Sequence, residues 1–540
     1  MCELFEYNLL RGMMCSSGGS NGLSRYGTSA QENINMVTSN ESFLIVKPEN
    51  GGTRDLVGLL LGGLRGEIKA KFLEYSCVDD GGGDCDGGEE VDDHRWVIFV
   101  SILVRKILKV LKKPMEWSGY FLEFFINLFS LNGNFLGLFH NILHGKLVIP
   151  QRGTANFISI IGHIDGRINL LYNTEILTKE IAQSDSFIKK NEQRDRALMD
   201  LCMMSSKLAY QNENVVKDVV NHHWKMHFVD FYNCWNDYQK QNSTQVFILC
   251  DKSKDANLIL ISFRGTEPFD ADDWITDFDY SWYEVPKIGK LHMGFLEALG
   301  LGSRVNVSTF HEHLFDKNVD VTIAHPERKT AYYTVRSKLK SLLKEHENAR
   351  FVVTGHSLGG ALAILFPTML VIHEEMDVMK RLSRVYTYGQ PRVGNRQLGR
   401  FMEEHLEHPV PKYFRVVYSN DLVPRLPYDD KTFLYKHFGV CMYYNSLYVE
   451  QEVREEPNMN FFGLRFVLPM YLNVVWEFIR GFFMCYIYGP EYKESWESIF
   501  FRMVGMFLPG ISAHSPVNYV NSVRLGRKKC SDVIVLVSLD

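Results

Sequence analysis

Apolar and polar positions along this chain follow two rhythms. Short unbroken runs of apolar or β-branched residues, bounded by turn residues, predict buried strands at Gln245–Cys250, Leu258–Phe263, Phe351–Val353, Arg384–Tyr388 and Tyr413–Tyr418. Between them, longer stretches carry helical spacing: Asp200–Tyr210, Arg336–His346, the run opening at Gly360, and a stretch around 396–405. The first two strands are joined by a polar turn and read as a pair. The later alternation of strand and helix predicts an α/β domain, a mainly parallel sheet with helices on its faces, over about residues 195–530. The chain shows no internal repeat.

Outside that span the rhythm changes. Residues 1–93 read as a partly disordered extension. Positions 1–40 are rich in Ser, Gly and Asn, and 79–93 hold eight Asp or Glu among five Gly. Residues 94–150 then turn basic and apolar, with six Lys or Arg and no acid from Arg95 to Lys113. Arg105, Lys106, Lys109, Lys112 and Lys113 fall on one side of a predicted helix, and Pro114 is expected to end it. A second apolar stretch, Tyr120–Phe139, is broken by Glu123 and by Asn-Gly-Asn at 132–134. Neither is a clean run of the ~20 apolar residues a spanning helix needs. The pattern predicts a segment lying in a membrane or droplet interface, basic side toward the head groups. A helical subdomain packed on the core is the alternative. A third apolar stretch, Phe461–Tyr488, lies in an insertion at about 455–510; Arg465, Glu477 and Arg480 within it argue against a plain membrane span.

Composition adds a few exclusions. A net charge of −5 speaks against a nucleic-acid partner. Ten Cys without paired spacing indicate neither a disulfide framework nor a metal site, and favour a reducing compartment. The N-terminus lacks a basic n-region and a long apolar h-region, so no secretory leader is expected and the chain reads as not secreted. Aromatic residues reach 13%, which suits apolar ligands or a lipid surface.

The chemistry starts at Gly355-His-Ser-Leu-Gly359. Preceded by a strand and followed by a helix rich in small residues, this G-x-S-x-G sequence has the context of a nucleophile elbow and points to an α/β-hydrolase fold. Ser357 is the candidate nucleophile. It needs a base, and the base needs an orienting carboxylate, which in this fold follow in the order acid, then His. Asp421, just past the strand ending at Tyr418, is the favoured acid; Asp429 and Asp430 are alternatives in a polar turn. Only His437 and His514 follow Asp421, and the later His514 is favoured. Oxyanion donors are expected at the Leu358 N–H and at Thr266, which closes Phe263-Arg-Gly-Thr266. Residues 271–280 predict a short amphipathic helix with Trp274, Ile275 and Phe278 apolar and Asp272, Asp273, Asp277 and Asp279 polar. It reads as a lid hinged beside Thr266, with an ordinary surface helix as the alternative.

Taken together, Phe263-Arg-Gly-Thr266, Leu291-His-Met-Gly-Phe295, Gly355-His-Ser-Leu-Gly359, Tyr388-Gly-Gln-Pro-Arg-Val-Gly-Asn395, Asn420-Asp-Leu-Val-Pro-Arg-Leu-Pro427 and Ala513-His-Ser-Pro516 resemble the class 3 lipases in content and order. The resemblance covers roughly residues 195–525. It implies Ser357, Asp421 and His514 as the triad and Thr266 with Leu358 as the oxyanion hole, without cofactor or metal. About 90 residues between acid and base, the apolar flanks, and Ser42-Phe-Leu-Ile-Val-Lys-Pro48 resemble the plant oil-body lipases. That narrower likeness implies a triacylglycerol lipase on the cytosolic face of a lipid droplet. A phospholipase A1 or galactolipase is the second reading, and a non-catalytic signalling protein the third. Oligomeric state is left open.

Overall fold

The computed structural model describes residues 42–61, 71–76, 95–172, 192–315, 328–428, 434–459, 461 and 463–528. The expectations for 1–40 and 79–93, and the alternative acids Asp429 and Asp430, lie outside the described residues. The described strands are β1 (Phe43–Val46), β2 (Leu73–Ser76), β3 (His227–Asn236), β4 (Gln241–Cys250), β5 (Leu258–Phe263), β6 (Trp282–Val285) and β7 (Gly289–His292). They continue with β8 (Arg350–His356), β9 (Leu382–Tyr388), β10 (Tyr413–Tyr418), β11 (Val440–Tyr444), β12 (Val449–Val453) and β13 (Arg527–Lys528).

Nine strands form one sheet in the order β13-β12-β11-β10-β9-β8-β5-β4-β3. Its centre, from β5 through β8, β9 and β10 to β11, is parallel. The β3–β4–β5 edge and the β11–β12 pair are antiparallel. Alternate residues of β5 feed opposite faces, as the two-residue strand period requires. Ile259 and Ile261 join one apolar cluster, and Leu258 and Leu260 join the other. This burial on both faces makes Leu258–Phe263 an unbroken apolar run in the sequence.

The helices that bear on the site and its surroundings, in chain order, are α1 (Arg95–Leu131), α2 (Asn134–Leu143), α3 (Ile160–Ile164), α4 (Glu192–Leu208), α5 (Ala271–Asp277), α6 (Ala331–Glu345), α7 (Leu358–Ile372) and α8 (Arg396–Leu406). Then follow α9 (Leu464–Tyr488), α10 (Trp496–Gly505), α11 (Pro509–Ala513) and α12 (Pro516–Leu525). Residues of α6 and α7 share one apolar cluster with the sheet; residues of α4 and α12 share the other.

The region before residue 195 is woven into this core. β1 pairs antiparallel with β6, so a second sheet runs β2-β1-β6-β7. Pro114 does not end the basic helix: α1 continues through it to Leu131. Nor do the basic residues all point to one polar environment. Arg105 is buried and pairs with Asp279 at 2.7 Å, while also donating to the Val46 carbonyl and the Tyr238 hydroxyl. Lys106 donates to the Gly51 carbonyl at 2.7 Å, and Lys112 meets Asp272 at 2.6 Å. Further along, the Asn127 side chain brackets the backbone of Ile158, giving and receiving one bond, and Asn132 does the same to Val148. The other side of α1, and all of α2, stays open: Val110, Trp117, Phe125, Phe135, Leu136 and Phe139 are exposed.

The insertion between acid and base builds α9, α10 and α11. Among the described residues α9 is the one helix long and apolar enough to cross a membrane by length and composition. Its polarity is inverted. The charged Glu477 and Arg480 face the protein, Glu477 accepting from the Tyr418 hydroxyl at 2.8 Å and Arg480 donating to the hydroxyls of Tyr418 and Tyr448. Leu468, Leu472, Trp476, Phe483 and Ile487 face outward.

Candidate active site

β8, buried from Phe351 onward, enters the elbow, and α7 leaves it. Ser357 sits between them at φ 60°, ψ −134°, a strained backbone for a residue with a side chain. The turn is so tight that a Cβ on Gly355 would lie 2.1 Å from the carbonyl oxygen of Gly359, so only glycine fits there. The Ser357 N–H donates to Tyr388 on neighbouring β9 at 2.9 Å, fixing the elbow to the sheet. Leu358 opens α7, so its N–H has no carbonyl one turn back to meet, and the helix N-terminus favours negative charge there.

Asp421 follows β10 at the carboxyl end of the sheet and is fully buried. Its Oδ2 accepts from His514 Nδ1 at 2.7 Å and from the Tyr519 hydroxyl, while its Oδ1 accepts from the Val423 N–H at 2.9 Å. The Leu422 N–H donates to the Gly510 carbonyl at 3.2 Å, joining the acid's loop to α11. His514 caps the C-terminal end of that helix. Arg425, buried beneath the loop, donates to the carbonyls of Ser419, Asp421, Pro457 and Asn458. The Ser357 hydroxyl and His514 Nε2 are both buried and hydrogen-bonded to no group among the described residues. These are the two atoms that a Ser–His proton transfer joins, and such bonds often tighten only once substrate is bound. His437 is elsewhere: its Nε2 bonds the Pro424 carbonyl at 2.7 Å.

Thr266 follows β5 and lies beside the elbow. Its hydroxyl donates to Asp277 Oδ2 at 2.9 Å. Asp277 closes α5, and burial pushes its carboxyl up to about 8, against the lowering effect of the Thr266 bond and with the Asp273 charge adding to it. Asp273 is raised to about 7, first by burial and then by Asp270, with Arg264 opposing. The polar face expected to be solvated is therefore turned inward: Asp273, Asp277 and Asp279 are buried, and only Asp272 is partly open. Burial is tolerated because Arg105 and Arg304 flank Asp279, each at 2.7 Å, and hold its carboxyl far below the usual range. Of the apolar side, Ile275 is buried and Trp274 and Phe278 are half-buried. Helix α1 covers this region, with the Ser101 hydroxyl donating to the Phe278 carbonyl at 2.7 Å.

Three side chains packed about this site escape sequence reasoning, Tyr210, His356 and Tyr519, while Asp277 was read as a solvated position of α5. His356 stands inside the elbow motif and Tyr519 lies five residues past His514, but nothing in their local patterns marks a role.

A strained Ser at a helix N-terminus, beside a buried carboxylate–imidazole pair on a parallel sheet, is the arrangement of a serine hydrolase with the α/β-hydrolase fold. Comparison with known proteins gives the family. Residues 260–431 match the family described as lipase (class 3). The chain is 64% identical, over 92% of its length and 96% of the relative's, to a Nicotiana tabacum protein named triacylglycerol lipase OBL1. It is 57% identical to the Arabidopsis thaliana protein of the same name, over 90% of this chain and 95% of that one. Among solved structures, the Rhizomucor miehei lipase–propeptide complex is similar at 23% identity and TM-score 0.33, over 47% of this chain and 69% of that one. The chain belongs to the class 3 lipases.

Proposed function

We propose that this protein is a triacylglycerol lipase that works at a lipid-droplet surface through an acyl-enzyme on Ser357. The observation that carries the chemistry is the 2.7 Å bond from His514 Nδ1 to the buried Asp421, beside a Ser357 hydroxyl that no other group among the described residues claims. The Ser357 oxygen attacks the ester carbonyl while its proton passes to His514 Nε2. The oxyanion of the tetrahedral intermediate is met by the Leu358 N–H and by Thr266. Collapse breaks the ester C–O bond, and His514 returns the proton to the departing diacylglycerol oxygen. Water, deprotonated by His514, then releases the fatty acid and restores the Ser357 hydroxyl. Asp421 holds the imidazole in the required tautomer and stabilises it when charged. Full-length likeness to relatives named triacylglycerol lipase supports the substrate class.

The droplet reading is supported by two open apolar faces, one on α1–α2 and one on α9–α10. On α9 the charged side chains between Phe466 and Tyr488 point inward, so the helix suits lying in an interface rather than crossing it. Helix α5, bearing Trp274, Ile275 and Phe278, serves as the lid, and α1 rides on it.

Replacing Ser357 by Ala tests the reading on emulsified long-chain triacylglycerol, with phospholipid and galactolipid assayed in parallel. Loss of at least ~10³-fold in triacylglycerol hydrolysis is expected. An S357A protein that still cleaves triacylglycerol overturns the mechanism, and faster wild-type cleavage of the polar lipids overturns the substrate class.

A further inference from the structure

Next to the base lies a second histidine that the mechanism does not use. His356 precedes the nucleophile and is 2% exposed. Its ring stacks on the His514 ring, with centroids 4.5 Å apart and planes 29° from parallel. Its Nε2 lies 3.1 Å from the backbone carbonyl oxygen of His514. A carbonyl only accepts, so Nε2 must carry the proton. In the neutral ring Nδ1 is then an acceptor, and it faces the Tyr210 hydroxyl at 2.9 Å. Both ring nitrogens are thereby satisfied in one tautomer. Burial, and after it the charge of His514, hold His356 well below the usual histidine range, so it stays neutral. Tyr519 closes the group edge-on at 5.4 Å while binding Asp421.

Tyr210 extends the arrangement to the other side of the elbow. It follows α4 and is almost fully buried. A Cβ on Gly265 would lie 2.1 Å from the Tyr210 hydroxyl and 2.3 Å from the His356 carbonyl. The hydroxyl is thus lodged against the loop that carries Thr266.

We infer that Tyr210 and His356 form a brace for the base, with His356 the positioning residue that fixes the His514 backbone and ring. The brace touches neither substrate nor the reacting atoms. It acts in two ways. The Nε2–H bond and the stack set the ring so that Nδ1 meets Asp421 and Nε2 is left for Ser357. Because the brace is neutral, no second cation faces the imidazolium that forms when His514 takes the proton. Among the described residues Tyr210, His514 and Tyr519 face His356, and no carboxylate contributes to holding it neutral.

The test uses the full chain, a soluble probe ester (p-nitrophenyl butyrate), and active-site concentration from fluorophosphonate labelling of Ser357. His356→Leu removes the donor and the stack, and kcat per labelled site should fall about 10–100-fold with KM little changed, the cost of a loosened reacting geometry. A loosened ring also loses part of its Asp421 contact, which stabilises the charged form. The acid limb of kcat/KM should therefore move to lower pH. His356→Gln keeps an N–H directed at the His514 carbonyl and should restore kcat to within about 3-fold of wild type, the loss expected for one neutral hydrogen bond. Tyr210→Phe should fall between the two. If His356→Leu does not fold, the His356→Gln and Tyr210→Phe pair carries the test. A purely structural role lowers the yield of labelled enzyme but leaves kcat per labelled site and the acid limb where they are, and that result overturns the inference. The inference rests on His514 being the base. His514→Ala in the same assay separates the two failures: retained activity there refutes the site reading itself.

Discussion

Replacing Asp277 by Asn removes a proton-binding group from the foot of α5 and nothing else of comparable size. In the unfolded chain this carboxyl ionises near its ordinary value of 3.8, whereas burial in the folded protein raises it to about 8. Between those values the folded state holds a proton that the unfolded state has lost. Stability from this group is therefore complete below about pH 4 and declines as pH rises toward 8, by up to about 1.4 kcal/mol per pH unit. Across the window this amounts to about 6 kcal/mol. Asn does not titrate, so the variant lacks that slope, and its amide oxygen still accepts from the Thr266 hydroxyl. A chain of 540 residues unfolds with an entropy of roughly 1 kcal/mol per kelvin. The variant should thus melt about 5 °C above wild type at pH 9 and at the same temperature as wild type at pH 4. Asp273, raised to about 7, adds its own slope to both proteins, so the difference between them reports Asp277 together with its coupling to Asp273. Scanning calorimetry at pH 4, 6, 8 and 9 measures it. Parallel pH curves for the two proteins would refute the reasoning, because they would show Asp277 ionised in both states.

Arg105→Met leaves Asp279 with Arg304 as its remaining buried cation, and the urea midpoint should fall by an amount equivalent to about 3 kcal/mol, the lower end for breaking a buried pair. An unchanged midpoint would mean that α1 is not an integral part of the core. Charges placed on the open face of α9, as in Leu472→Glu with Ile487→Glu, should abolish flotation with phospholipid-coated triolein particles. Hydrolysis of soluble p-nitrophenyl butyrate should stay unchanged, since exposed substitutions cost little stability. Undiminished flotation would move the docking face to α1–α2.

What the sequence disclosed depended on whether the deciding forces were local. Leu258–Phe263 was legible to the residue, because a strand covered on both faces has no polar position to blur its ends, and Tyr413–Tyr418 was legible despite Arg415, whose buried guanidinium donates to the Phe438 carbonyl. The elbow was legible because its geometry demands particular residues at fixed spacing. Asp421 and His514, 93 positions apart, were reached through the order in which such sites are built, and the structure puts them in hydrogen-bond contact. The inward-facing acids of α5 were not legible. An Asp beside a Trp reads as amphipathic, and the arginine that makes burial of Asp279 tolerable comes from 174 residues earlier. The same distance hid the fate of the basic stripe on α1, which looked like a lipid-facing edge until Arg105 and Lys112 found their acids. Pro114 misled because a proline forfeits one backbone bond, yet α1 runs on through it, tied to the core before it by Lys112 on Asp272 and after it by Asn127 on Ile158. Tyr210 and His356 gave no signal, since a brace is a relation between residues and not a pattern along one segment.

The pairing of β1 with β6 also bears on how the protein is made. Residues 43–44 emerge from the ribosome well before their partners at 282–283, a gap of 239 residues. At the usual ~5–20 residues per second this is a wait of roughly 12–50 s, during which β1 has β2 to pair with but not β6, and the second sheet stays half built. The catalytic half cannot complete itself in the meantime, because its buried Asp279 draws on Arg105 from that same waiting segment. Synthesis from one end to the other therefore leaves the second sheet half built until β6 emerges, and the catalytic half closes over Asp279 only with Arg105 of the earlier segment in place.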